Sequence, residues 1–152
     1  MTAPRLQLAS DVLEELRHMA QAAYPHEAVA LLAGHESRGV RYVMRVLKVG
    51  NASGVAERRH RYRIAPNEYA AAERLAEEAR LELLGVFHSH PDHPAIPSET
   101  DRAWAWPWFT YLVMNVNGGR AGECRAWRLL DDRSAFEEEP FALMRVSTLE
   151  AR

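Results

Sequence analysis

Two histidines one residue apart, His88 and His90, followed by Ser98 and Asp101, are the residues of this 152-residue chain best suited to chemistry. They follow the apolar run Leu83 to Phe87, whose strand-forming residues predict a buried strand. Side chains alternate faces along a strand, so both imidazoles leave its C-terminal end on the same side. Pro91 ends the pairing. A loop carrying Pro91, Pro94 and Pro97 then leads to a helix for which Ser98 is a good N-cap, and this puts Asp101 inside the first turn. Two imidazoles and a carboxylate form a three-ligand set for zinc that keeps a fourth position for water, as catalytic zinc sites do. Each piece also has an ordinary reading: His-x-His is commonly a polar strand end, and Ser-x-x-Asp is commonly a capping box with Asp in place of Glu. The cap explains nothing about the paired histidines, whereas a metal site accounts for all four residues.

The run His88-x-His90-Pro91, with seven residues between His90 and Ser98-x-x-Asp101, resembles the signature of the JAMM/MPN+ zinc metalloprotease family, small bacterial type. Upstream, Tyr24-Pro25-His26-Glu27-Ala28-Val29-Ala30-Leu31-Leu32-Ala33-Gly34 is similar to the family's opening segment. The likeness continues through Asn51, Arg61-Tyr62-Arg63-Ile64 and Pro66-Asn67-Glu68, and covers roughly Leu6 to Leu130. One departure is Ala30, where the family commonly has Gly; it alters backbone freedom and removes no chemistry. By resemblance, His88, His90 and Asp101 hold one Zn2+ ion with a bound water, and Glu27 is the general acid/base. Ser98 would donate a hydrogen bond to the developing oxyanion, a kind of contact worth about a hundredfold in rate. The resemblance also implies the substrate: an amide or isopeptide bond after the C-terminal Gly-Gly of a ubiquitin-like or sulfur-carrier protein. From the residues alone, Glu27 would be a solvated glutamate between a helix and a strand. His93, in the loop beside the site, is read as a solvated residue and not a further ligand. Two other classes remain open: a zinc hydrolase of a small-molecule amide, and a non-catalytic scaffold of the same fold.

Bulk properties narrow the field. The length suits one domain, 1–152, able to bury about two-thirds of its unfolded surface. With 47% hydrophobic and 26% charged residues and a net charge of −2, the composition gives no case for nucleic acid or membrane partners. Cys124 is the single cysteine, which excludes an internal disulfide framework and cysteine-based zinc sites. No apolar run approaches the ~20 residues of a membrane span, and no basic-then-apolar leader is present, so a cytoplasmic location is the expectation.

The elements that must position the site follow from periodicity. Expected are a short strand Leu6 to Leu8, then a helix capped by Ser10 and running to about Ala23, with Leu13, Leu16 and Ala20 on its apolar face. Ala28 to Ala33 reads as a central strand with Gly34 as its turn. Val40 to Val49 reads as another, with Val40, Tyr42, Met44, Val46 and Lys48 sharing one face. Asn51 to Gly54 is a loop. The basic run Arg58 to Arg63 suits a strand with solvated arginines, with Tyr62 and Ile64 on one face, better than a nucleic-acid patch. Asn67 to Leu81 is the clearest helix. Trp104, Trp106 and Trp108 are read as core or a cover over it, with a substrate groove or a homodimer contact as the other reading. Phe109 to Val116 and Glu123 to Leu130 form a hairpin around Asn117-Gly118-Gly119. Asp131 to Glu139 is expected as a surface loop, and Phe141 to Val146 as an edge strand. The fold class is thus α+β (α/β): a mixed curved sheet with helices packed on it. The resemblance implies an MPN/JAB fold, cytidine-deaminase-like.

Overall fold

A computed structural model gives the architecture, described for residues 4–144. In chain order, β1 (Leu6–Ala9) runs directly into α1 (Ser10–Ala23), and β2 (Val29–Ser37) and β3 (Val40–Lys48) form a hairpin. An irregular segment with a 3-10 turn at Val55–Glu57 leads to α2 (Pro66–Glu78), which feeds β4 (Glu82–Pro91). The short α3 (Glu99–Trp104) follows, then β5 (Thr110–Asn117), β6 (Arg120–Leu129), β7 (Phe136–Glu139) and β8 (Phe141–Met144). The strands form one sheet in the order β7-β6-β5-β4-β2-β3-β1-β8. The central β4 pairs antiparallel with β2 and parallel with β5, so the sheet is mixed and the class α+β, as expected. Among the described residues no helix is long and apolar enough to cross a membrane.

Alternation along Ala28 to Ala33 divides the core into two faces. Ala28, Ala30 and Leu32 face Val12, Leu16 and Ala20 of α1. Val29, Leu31 and Ala33 face Ala72 and Ala76 of α2. Burying a side chain such as Leu16 or Leu31 contributes about 1.5–3 kcal/mol, so these two apolar layers hold the sheet between the helices. Val86 belongs to the α2 face, and His88 and His90 continue the same face toward the C-terminal end of β4. The imidazoles therefore emerge where the sheet runs beyond the cover of α2.

Several expectations are corrected. Ser10 is the first residue of α1 and not its cap; β1 passes straight into the helix through Ala9, and no side chain caps it. On the apolar face of α1, Val12 is buried and Leu13 only partly so. Gly34 is not a turn but lies inside β2, opposite a bulge at Met44 of β3, and a Cβ there would sit 1.8 Å from the Tyr42 carbonyl oxygen. The turn falls instead at Arg38 and Gly39, both with positive φ. That bulge also upsets the expected face of β3, where Val43 is fully buried and Met44 is not. Arg61 to Ile64 is irregular and not a strand. Within the supposed loop Asp131 to Glu139, Phe136–Glu139 pairs with β6, because Glu138 meets Arg125 and Glu139 meets Arg128 across the ladder. β8 is an edge strand as expected, while Arg145 and Val146 lie outside the described residues.

Gly85 lies where β4 passes closest to β5: a Cβ there would come 2.0 Å from the Thr110 carbonyl oxygen, which is backbone and has no rotamer with which to yield. Gly85→Ala is expected to destabilise the protein by about 3 kcal/mol, at the upper end of overpacking costs, seen as a lower thermal midpoint.

Candidate metal centre

The pairing of Val29 with His88 brings the residues just before β2 against the end of β4. Ser89, fully buried between the two histidines, closes this contact: its Oγ accepts the Ala28 N–H at 2.8 Å, and its own N–H donates to Ala28 O at 3.1 Å. Glu27 is thereby placed beside the histidine pair. Its backbone is held from the other side by Arg58 O, which accepts the Glu27 N–H at 2.6 Å, and by Asn51 Nδ2, which donates to Glu27 O at 3.2 Å. Asn51 also donates to Arg61 O and accepts from the Ser53 and Arg63 N–H groups, so one amide ties Glu27 to the irregular segment that crosses the site. Asp101 arrives by the capping box anticipated from sequence. Asp101 N donates to Ser98 Oγ at 3.1 Å, and Ser98 N donates to Asp101 Oδ2 at 2.8 Å.

The structure brings all five anticipated residues together. Glu27, His88, His90 and Asp101 are buried. Asp101 Oδ2 lies 3.2 Å from His90 Nε2 and 3.7 Å from His88 Nε2. Glu27 Oε1 lies 3.4 Å from His88 Nδ1, and donor atoms of Glu27, His88 and His90 all fall within 4.8 Å of one another. Two nitrogens and an oxygen at the corners of a tetrahedron around an ion about 2.1 Å away stand about 3.4 Å apart, close to the spacing seen at Asp101 Oδ2.

Hydrogen bonding defines what this cluster lacks. His90 Nδ1 is 2.9 Å from Pro94 O, an atom that can only accept, so Nδ1 carries the proton and Nε2 presents a lone pair. In neutral His90 that lone pair faces an Asp101 oxygen, and two acceptors at 3.2 Å repel unless a cation or proton stands between them. Among the described residues, both ring nitrogens of His88 and Glu27 Oε1 are buried without a hydrogen-bond partner. Orphaned buried polar atoms are rare and costly. Burial opposes a charged imidazole at His88, but Asp101 and Glu27 outweigh it and leave the pKa raised. Burial likewise opposes ionisation of Asp101, yet His88, His90 and the Ser98 N–H hold its carboxyl well below the usual carboxylate range. This donor set, anionic and rich in imidazole, fits a divalent cation of borderline softness.

Above the cluster opens a pocket of about 350 Å³ lined by Glu27, His60, His90, His93, Pro94, Ile96 and Ser98. His88 and Asp101 are absent from that lining, so the cluster has a pocket side and a covered side. His93 stands exposed at the mouth with its ring 6.4 Å from that of His60. Tyr62 covers His88, the ring centroids 4.5 Å apart. Behind Tyr62 a wider groove of about 620 Å³ is bounded by Tyr69, Trp104, Trp106 and Tyr111. The tryptophans are not core: Trp104, Trp106 and Trp108 are 72%, 41% and 59% exposed, because Pro107 and the short α3 leave this turn outside the sheet. In the basic run, Arg58 donates to Ser53 O and Arg61 pairs with Glu57, so part of its charge serves the segment's own fold. Sequence reasoning missed the roles of Ser89, Asn51 and Tyr62. A small hydroxyl residue between two histidines was the one local signal for the first.

A buried cluster of two histidines and two carboxylates that could hold a metal ion, at the end of a central strand in a sheet covered by helices on both faces, defines the class: an α+β domain with a candidate metal centre. The profile of prokaryotic homologs of the JAB domain matches residues 9–130, and the chain belongs to that family. A desampylase of Haloferax volcanii is 35% identical over 123 residues, spanning 78% of this chain and 86% of that protein. A probable TtuB-protein conjugate cleaving protease of Thermus thermophilus is 34% identical over 114 residues, 72% of this chain and 70% of that one. The crystal structure of a JAB1/MPN domain protein from Archaeoglobus fulgidus superposes with a TM-score of 0.57 at 15% identity, covering 92% of this chain and 97% of the other, and shares its fold.

Ser89→Ala removes the acceptor for a buried Ala28 N–H. It is expected to cost about 1–3 kcal/mol in chemical denaturation, the penalty of an unsatisfied buried donor, with no change in the secondary structure seen by circular dichroism.

Proposed function

We propose that this protein is a zinc-dependent peptidase or isopeptidase, hydrolysing the amide bond after the C-terminal Gly-Gly of a ubiquitin-like or sulfur-carrier protein. The observation that carries the reading is the set of orphaned atoms at His88 and Glu27, beside an Asp101 oxygen shared by two imidazole nitrogens. The two relatives, a desampylase and a probable TtuB-protein conjugate cleaving protease, support the substrate class.

In this reading His88, His90 and Asp101 hold the zinc. Asp101 is preferred to Glu27 as the third ligand because its oxygen faces both Nε2 atoms from the covered side, while Glu27 lines the pocket where substrate and water enter. Held by these residues, zinc would supply a Lewis acid and a bound water whose pKa is lowered to about 7. Glu27 accepts the attacking water's proton on a carboxylate oxygen and returns it to the leaving amine. Its backbone anchors at Arg58 and Asn51 keep the carboxylate in place for both transfers. Ser98 Oγ accepts from Asp101 N, which leaves its hydroxyl proton free to donate into the pocket toward a carbonyl oxygen gaining charge. Burial of the cluster limits competing water and strengthens each of these contacts.

Elemental analysis of purified protein is expected to find one zinc per chain, with cleavage of a Gly-Gly-tailed sulfur-carrier fusion abolished by chelator and restored by zinc. Zinc without cleavage of any tailed fusion would sink the substrate class; no zinc would sink the enzyme. Glu27→Gln should keep its zinc and lose at least ~100-fold in kcat, within the range general acid–base catalysis contributes. Ser98→Ala should also keep zinc and lose about 100-fold, the effect falling on kcat more than on KM.

A further inference from the structure

Three consecutive carbonyls in the loop between β4 and α3 are each held by a side chain from a different strand. Asn115 Nδ2 of β5 donates to His93 O at 2.6 Å. His90 Nδ1 of β4 donates to Pro94 O at 2.9 Å. Trp127 Nε1 of β6 donates to Ala95 O at 3.0 Å. Loops ordinarily lie on the surface and leave such carbonyls to water. Here Ala95 is fully buried, and the loop is clamped from below at three successive peptides.

The middle contact sets the chemistry of His90, because an acceptor at Nδ1 keeps the proton there and frees Nε2 for a metal. The two outer contacts set the middle one. The peptide planes flanking Pro94 O are fixed by Asn115 and Trp127, and a shift of that oxygen by about 1 Å would take a 2.9 Å contact beyond hydrogen-bonding range.

Both outer residues are placed for this purpose. Asn115 lies directly across from His90 in the parallel ladder, at the irregularity of the β5–β6 pairing between Met114 and Val116. Bulges of this kind re-aim a side chain next to functional sites. Gly122 on β6 makes the room: a Cβ there would stand 2.8 Å from Asn115 Oδ1. Trp127 sits in the apolar cluster with Ala95, Tyr111 and Val113, and its N–H finds its partner in the loop. Neither residue lines the pocket above the cluster.

We propose that Asn115 and Trp127 are positioning residues for metal binding, acting together through the Pro94 carbonyl to hold His90 in the tautomer whose Nε2 is free to ligate. This rests on the reading of His90 as a zinc ligand.

The test uses full-length Trp127→Phe, which keeps the ring and deletes the N–H, and Asn115→Ala. Zinc affinity is measured by competition with a chromophoric chelator. The His90 tautomer is read in metal-free protein from imidazole 15N shifts. Each variant is expected to bind zinc about 10-fold or more weakly, as loss of an outer partner of a metal-bound histidine does. In metal-free protein the His90 signals should move from a single Nδ1–H form toward a tautomer mixture. Wild-type zinc affinity in both variants, or a weakened affinity with His90 still in its single tautomer, overturns the proposal. Should a variant fail to fold, Gly122→Ala presses on Asn115 without deleting a donor and is expected to give the same two changes; an unaltered affinity and tautomer there counts against it equally. His90→Ala separates the two readings. If it binds zinc as the wild type does, the ligand assignment fails, while the tautomer measurement still judges the clamp.

Discussion

Two carboxylates and two imidazoles are buried side by side at the end of the central strand, and positive charge at their centre would relieve the repulsion among their facing acceptor atoms. Taking ionised groups out of water costs several kcal/mol each, and partners must return it through close, well-aligned contacts. Asp101 has such partners in the Ser98 N–H and in the imidazoles of His88 and His90. Among the described residues, His88 has carboxylate oxygens near both ring nitrogens but no hydrogen bond to either nitrogen. Everything around the cluster can be understood as holding these four groups in a geometry they would not adopt unaided.

The sheet supplies that force. β4 lies at its centre, with β2 on one side and β5 on the other, and each neighbour contributes something to the histidine strand. Through the Ala28–Ser89 contact, β2 delivers Glu27. β5 places Asn115 opposite His90, and α3 returns Asp101 through a cap that costs no extra element. Sites built on strands and helix starts are more exactly placed than sites on loops, because the ladder and the helix fix the backbone before any ligand arrives. The loop that intervenes is tied down at three carbonyls for the same reason.

The cluster is also divided by access. His88, under Tyr62, and Asp101, in the first turn of α3, do not line the pocket, while Glu27, His90 and Ser98 do. The exposed tryptophans border a separate groove on the far side of Tyr62.

What could be learned from sequence was whatever depends on near neighbours. The strand leading to His88 and His90 follows from alternation, and the cap at Ser98 from a side chain bonding a backbone three residues on. The helix read over Asn67 to Leu81, which the structure places at Pro66–Glu78, follows from propensity, and hence the fold class and three of the four cluster residues were legible. The assignment of Glu27 came only from likeness to a family, since its position depends on Ser89, sixty-two residues away in sequence, and on Asn51. Arg61 to Ile64 alternates like a strand, yet its backbone bonds to Asn51 and Ala52 and not to a ladder. Phe136–Glu139 looked like an acidic loop until the arginines of β6 paired with it. Tertiary structure alone decided that the tryptophans are exposed, that Glu27 faces the pocket and Asp101 does not, and that Asn115 and Trp127 reach the loop beside His90. Each of these rests on contacts between residues distant in the chain, and local periodicity carries no record of which distant group will be there.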